Sequence, residues 1–198
     1  MRLFQLTIYV ITLTMGLSSC SAQKNGGDHI QSARQLILRI KSGESVVIRN
    51  QTFEEDIDLT QAGELLVTAP QKGVVRIPGQ LTFINCVFRG KLIGYRQDLR
   101  EKSTEQDAMT TLDCLSGLSF IDCEFDDAVT LREATIRGGL ICSRSEFAGE
   151  ADFQGVRVLG AQCAFDGAVF YKNAKFQRLD VLPNANFVKA TFNKQVDF

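Results

Sequence analysis

The chain has 198 residues, 22 basic and 23 acidic side chains, and a formal net charge of -1. That balance excludes the strongly basic surface with which most proteins bind nucleic acid, and an apolar share of 44% excludes disorder throughout. A single His excludes His-based triads and His metal clusters, and the length allows one ordinary domain.

Met1-Arg2 gives a short positive start, and Leu3 to Leu17 is an apolar run. The run is shorter than the roughly 20 residues a membrane-spanning helix needs, and it fits the apolar region of a secretory signal. It ends in Leu17-Ser18-Ser19-Cys20, which resembles a bacterial lipobox. The resemblance implies that residues 1–19 are a lipoprotein signal peptide and that Cys20 becomes the lipidated first residue. Membrane attachment through palmitate-like acyl chains is then expected, each buried methylene adding about 0.8 kcal/mol. Ser21 after the Cys favours the outer membrane, by analogy with enterobacterial sorting, and leaves the leaflet open. Residues 20–28 are small, polar and Gly-containing, which suits a flexible tether.

Asp28 can cap a helix with Gln31 as its capping-box partner. Ile30, Ala33, Ile37 and Ile40 then recur at helical spacing, and Gly43 ends the run. Residues 29–43 are expected to form a capping helix over the open end of a solenoid, because solenoid ends need such covers. His29, at its exposed start, reads as a surface residue.

The C-terminal half is a ladder. Cys114, Phe120, Phe125, Leu131, Ile136, Cys142, Phe147, Phe153 and Val158 step by alternating six and five residues. After one inserted residue, Phe165, Phe170, Phe176, Val181, Phe187, Phe192 and Phe198 continue the alternation. Two residues before each of these rungs stands a second, mostly small apolar column, among them Leu118, Cys123, Val129, Ala134, Leu140, Ala151 and Ala168. Side chains two apart on an extended strand point the same way. A helix of 3.6 residues per turn cannot keep this spacing on one face, whereas short strands joined by corners can if the chain coils. Four units make a coil of about 22 residues, and at about 4.8 Å per coil residues 114–198 give a rod of roughly 19 Å. Gly138, Gly149, Gly155, Gly160 and Gly167 stand two residues after a rung, where Gly relaxes a turn.

Units such as Ala168-Val169-Phe170, Ala174-Lys175-Phe176 and Ala190-Thr191-Phe192 resemble pentapeptide-repeat proteins, in particular a Phe-centred variety with alternating five- and six-residue units. The resemblance spans residues 114–198. It implies an all-β fold, a right-handed quadrilateral β-helix, here with an N-terminal capping α-helix. Departure from the commonest A(D/N)Lxx form argues against tight coils built of five-residue units alone.

Residues 44–94 are expected to hold irregular first coils. Phe83-Ile-Asn-Cys-Val-Phe88 nearly copies Phe120-Ile-Asp-Cys-Glu-Phe125, and Ile48, Phe53 and Leu59 again step by five and six. Between Leu65 and Ile77 the phase is poor, and Pro70 and Pro78 suggest bends. Residues 95–111 break the ladder with seven charged residues of both signs. They read as a solvated loop insertion before the regular solenoid of residues 112–198. If any loop binds a partner it is this one, and Tyr95, Arg96, Asp98, Arg100, Glu101 and Lys102 are its candidate residues.

The expected function is a non-enzymatic scaffold or binding surface for protein or glycan partners in the cell envelope, without cofactor, metal or nucleic acid. The alternatives are a polysaccharide-acting enzyme on the same rod and a DNA mimic that binds a topoisomerase, the latter opposed by the export signal. Phe198 stands on a rung, so an open last coil invites homodimerisation. Cys86, Cys114, Cys123, Cys142 and Cys163 fall on the two columns and read as buried small hydrophobes, with a stray disulfide, such as Cys123 with Cys142, left open.

Overall fold

The computed structural model describes residues 32–98, 108–182 and 184–198. One helix, Ala33–Lys41, precedes a long series of short strands. Ser32 caps the helix, its hydroxyl accepting from the Gln35 N–H. Asp28, expected in that role, and the helical start at residue 29 lie outside the described residues. Leu36 and Ile40 are fully buried, with Ala33 beside them, and Ile37 packs partly against the core. Gly43 follows at φ 86°, the left-handed turn that ends the helix. The helix packs against the Ile57–Asp58 strand and the Leu59–Gln61 turn, closing the first coil.

The strands form four sheets that the chain visits in rotation. Val46–Arg49 opens the first sheet, Thr52–Phe53 the second, Ile57–Asp58 the third and Lys72–Ile77 joins the fourth. Almost all pairing is parallel, each strand lying on its counterpart one round earlier, so the molecule is a β-helix-like solenoid. Phe125 pairs with Phe147, and Phe147 with Phe170, the second round being longer by one residue. The extra residue enters between Val158 and Phe165, where Leu140 pairs with Cys163, and the next round returns to the shorter length with Cys163 on Ala185. The insertion is absorbed in one corner and no side chain changes face.

Inside, large groups stack on large groups. Phe53, Phe88, Phe125, Phe147, Phe170 and Phe192 form one continuous column, with ring centroids 4.6 to 5.3 Å apart and planes within 21°. The first sheet contributes Phe83 on Phe120 and Phe165 on Phe187, the third Phe153, Phe176 and Phe198. Neighbouring columns mostly meet edge to face, as Phe120 does with Phe125 at 5.2 Å, which sets a positive ring edge against a negative face; Phe165 with Phe170 and Phe187 with Phe192 are tilted at 46°. The fourth sheet contributes no ring among the described residues; its rungs Ile77, Cys114, Ile136 and Val158 are aliphatic or thiol, and all are buried.

The alternation of five and six has a backbone cause. Asn50, Asn85, Asp122, Arg144, Gly167 and Lys189 have φ of 53 to 66° and turn the chain from the first sheet to the second. Glu133, Gly155 and Arg178 do the same from the third to the fourth. Each lies two residues after a rung and begins a five-residue step. There the chain makes a type II-like turn, for example with the Ala134 N–H donating to the Leu131 carbonyl at 3.0 Å. The six-residue steps have no left-handed residue among the described residues and use one more residue to turn. The expected role of the corner glycines therefore divides. Gly155 and Gly167 supply positive φ, whereas Gly138, Gly149 and Gly160 allow close approach: a Cβ on Gly160 would collide with the Gly138 carbonyl of the coil below.

Candidate functional site

The two stretches that interrupt the ladder meet in space. Glu64–Ala69 and Lys72–Ile77 form an antiparallel hairpin, and Lys72–Ile77 lies parallel to Ala108–Cys114 over six residue pairs. The inner end of Ala108–Cys114 continues the solenoid, Asp113 and Cys114 pairing with Thr135 and Ile136. Its outer end pairs instead with Arg96–Asp98, antiparallel, Ala108 facing Asp98. The result is a four-stranded wing carried by the fourth sheet. The segment expected as one solvated loop, 95–111, is thus strand at both ends. The cause is long-range: the 72–77 segment offers a parallel partner longer than any ordinary two-residue rung.

Asp58 anchors the wing at its root and is only 8% exposed. Its carboxylate accepts from the Thr60 N–H at 3.0 Å, from Gln61 Nε2 at 2.8 Å and from Arg96 Nε at 2.7 Å, as well as from the Thr60 hydroxyl. Burial opposes its ionisation, yet the hydrogen bonds from Thr60, Arg96 and Gln61 outweigh it and hold the carboxyl below its ordinary value. Beside it the Arg132 guanidinium lies 5.4 Å from the centre of the Tyr95 ring, whose hydroxyl donates to Gln97 Oε1 at 3.3 Å. Of the candidate binding residues, Tyr95 and Arg96 are therefore engaged in holding the wing to the coil. Asp98 takes part in strand pairing through its backbone, and Arg100, Glu101 and Lys102 lie outside the described residues, as does Cys20.

The wing also presents what charge patterning did not reveal. Leu65 is 57% and Val67 75% exposed, side by side on the outermost strand. Asp58, Leu65 and Val67 were not among the sequence candidates. Leu65, Leu66 and Val67 form an unbroken apolar run, so no alternation in the sequence marks which face is covered.

The solenoid's outer faces divide by chemistry. Most described charged groups that pair do so between coils. Arg144 grips Asp122 through Nε at 2.6 Å and Nη2 at 2.8 Å, Arg137 grips Asp113 at 2.8 and 3.1 Å, and Arg178 spans two coils to Glu133 at 2.8 Å. Arg178 reaches Glu133 past Gly155, where a Cβ would come within 2.7 Å of the Glu133 carboxylate. Arg144 holds the Asp122 carboxyl below the usual range. Sequence separations of 22, 24 and 45 mark these pairs as one-coil and two-coil neighbours, a signal available once the coil length is known. The first sheet differs: its central outward column reads Val47, Thr82, Ser119, Ile141, Ala164 and Asn186, with no charge. A shallow groove of about 290 Å³ runs along its corner, lined by Gln80, Gln162 and a shelf of Gly117, Gly138, Gly139 and Gly160.

All five described thiols are buried and unbridged. Cys123 stacks not on Cys142 but on Cys86, its register neighbour across the coil boundary, because Ile121 pairs with Ile84 and Glu124 with Val87. Cys142 belongs to a different column, with Phe120 and Phe165. The neighbouring Cys86 thiol, together with burial, pushes Cys123 up, and burial pushes Cys114 and Cys163 each to about 12. Among the described residues no group of three or more His, Cys, Asp or Glu is placed to hold a metal ion, and no helix is long and apolar enough to cross a membrane. At the far end of the rod the last coil exposes Leu182 at 65%, Val188 at 63% and Phe198 at 70%.

No protein-family model matches this chain, and neither a curated protein nor a solved structure matches it.

Proposed function

We propose that the chain is a lipid-anchored cell-envelope protein of the pentapeptide-repeat type, a non-enzymatic scaffold that presents binding surfaces to protein or glycan partners. In this reading the four sheets are the sides of a right-handed quadrilateral β-helix, and Cys20 with residues 20–28 tethers it to a membrane, with the outer membrane favoured. The observation that supports a scaffold is the division of labour between core and surface. The interior is one unbroken stack of rings and small apolar groups, which fixes the shape, while the two irregular segments gather into a single wing on one side. A rod whose coils contact only their neighbours offers long flat faces at little cost in core design.

Two experiments test the reading. Chemical crosslinking on intact cells, with mass spectrometry of what is captured, should recover a defined protein or glycan set, and deletion of the 99–107 segment should change that set. Labelled fatty acid should be incorporated into the chain and lost in Cys20→Ser. Capture of nothing beyond abundant bystanders, or no label, counts against the scaffold or the anchor respectively.

The polysaccharide-acting alternative has one observation of its own. Glu124 and Glu146 are register neighbours on the second sheet's outer face, and the Tyr171 hydroxyl donates to Glu146 at 3.0 Å. Two adjacent carboxylates are the minimum equipment of a retaining glycosidase. Release of reducing ends from envelope glycans, abolished in Glu146→Gln, would move the assignment there.

A further inference from the structure

Glu64–Ala69 ends the fourth sheet, and among the described residues nothing pairs with its outer side. Lys72–Ile77 satisfies one row of its backbone groups; the other row faces outward. Natural edge strands are blunted by Lys, Pro or a bulge, because an open row of N–H and C=O groups is a template for another strand. Here five of the six residues are exposed and Leu66 is half-buried. The only charge is Glu64 at the start, and the one register irregularity falls at the far end, between Val67 and Ala69.

The side-chain spacing selects the occupant. Directly opposed residues of antiparallel strands point to the same face. A strand can therefore pair with its own copy about a two-fold axis normal to the sheet only if the axis passes between two copies of one residue, so that like faces meet. Centred on Leu66, each Leu65 meets the other copy's Val67, Leu66 meets Leu66, and Glu64 meets Thr68. Both exposed apolar side chains are covered and no like charges oppose. Centred on Val67, Leu65 would meet only Ala69, and the pairing would run into the irregular end.

We propose that the free edge of Glu64–Ala69 pairs antiparallel with the same strand of a second copy, centred on Leu66, so that the two fourth sheets become one. The contact involves neither the lipid anchor nor the last coil, so it stands or falls apart from them.

The test is register-specific. The full chain carrying Leu66→Cys, treated with a short thiol-to-thiol crosslinker, should run as a dimer above the wild-type background. Glu64→Cys should not, because its two copies would stand about 13 Å apart along the strands at about 3.3 Å per residue. Adding Val67→Lys to Leu66→Cys should lower the crosslinked fraction about tenfold, since one substitution removes both symmetry-related apolar pairs. Leu182→Lys, at a similarly exposed position in the last coil, should leave it unchanged. Equal crosslinking from Glu64→Cys, none from Leu66→Cys, or a loss that follows Leu182→Lys overturns the proposal. Should Val67→Lys fail to fold, the comparison of the two cysteine variants still decides.

Discussion

The regular coils pair in parallel throughout, whereas the wing joins one parallel pairing to two antiparallel ones, and the two regions bury side chains differently. In the coils of residues 118–176 every strand is short, every ring on a rung has a neighbour above and below, and the rings are shielded on both sides. In the wing three of the four strands run to six or seven residues and extend past the coil, so Leu65 and Val67 are exposed in a single copy. Strand length therefore does not measure burial here. A two-residue strand inside a stack is a fully packed unit, while a six-residue strand beyond it is mostly surface.

The largest expected effect breaks this comparison if it fails. Phe147→Ala removes a ring held between Phe125 and Phe170 and should destabilise the chain by about 3–5 kcal/mol in chemical denaturation. Leu65→Ala, the same kind of truncation on the wing, should change stability by less than about 0.5 kcal/mol. Next in size, Gly160→Ala forces a methyl against the coil below and should cost about 1–3 kcal/mol, read as a lowered unfolding midpoint. Asp58 sharpens the comparison through pH. Its folded value lies below the ordinary 3.8, so the stability it contributes is complete above 3.8 and is lost as pH falls through the folded value. Thermal unfolding of the wild type should therefore drop below about pH 4 more steeply than that of Asp58→Asn, and the two should converge at the acid end. Smallest, Arg178→Ala should cost no more than about 0.5 kcal/mol, because its bridge to Glu133 lies at the surface; a double-mutant cycle with Glu133→Ala measures it.

The solenoid core was readable because its signal is local and repeated. Phe147, Phe170 and Phe192 are each placed by the residues five or six away, so one look at the spacing puts them in a column. The wing was not readable in this way. The 72–77 strand finds its partner far downstream at 109–114, across a stretch whose own charge pattern reads as loop. Arg96 looked like a binding residue because a charged side chain beside Tyr95 in an irregular segment usually faces solvent. Its buried partner Asp58 stands on a rung strand of an earlier coil and gives no hint of the pairing. The two kinds of corner glycine were hidden for a different reason. Gly155 and Gly160 occupy equivalent places after a rung, and only the length of the step they begin, five residues for Gly155 and longer for Gly160, tells a turning glycine from a crowded one.

The left-handed corners fall on alternate edges of the rod, which gives each round two halves of the same build, one short corner and one long. Eleven residues, rather than five or twenty-two, is then the smallest stretch after which the corner types recur. Losing or duplicating eleven would carry everything beyond it through half a revolution, bringing the uncharged column of the first sheet to where the third had been while every large side chain stayed inside. Losing five would set crowded glycine corners where left-handed turns are required. Growth and shrinkage in a lineage of such chains should therefore proceed by half-rounds, a route by which a surface can be re-aimed without redesigning the interior.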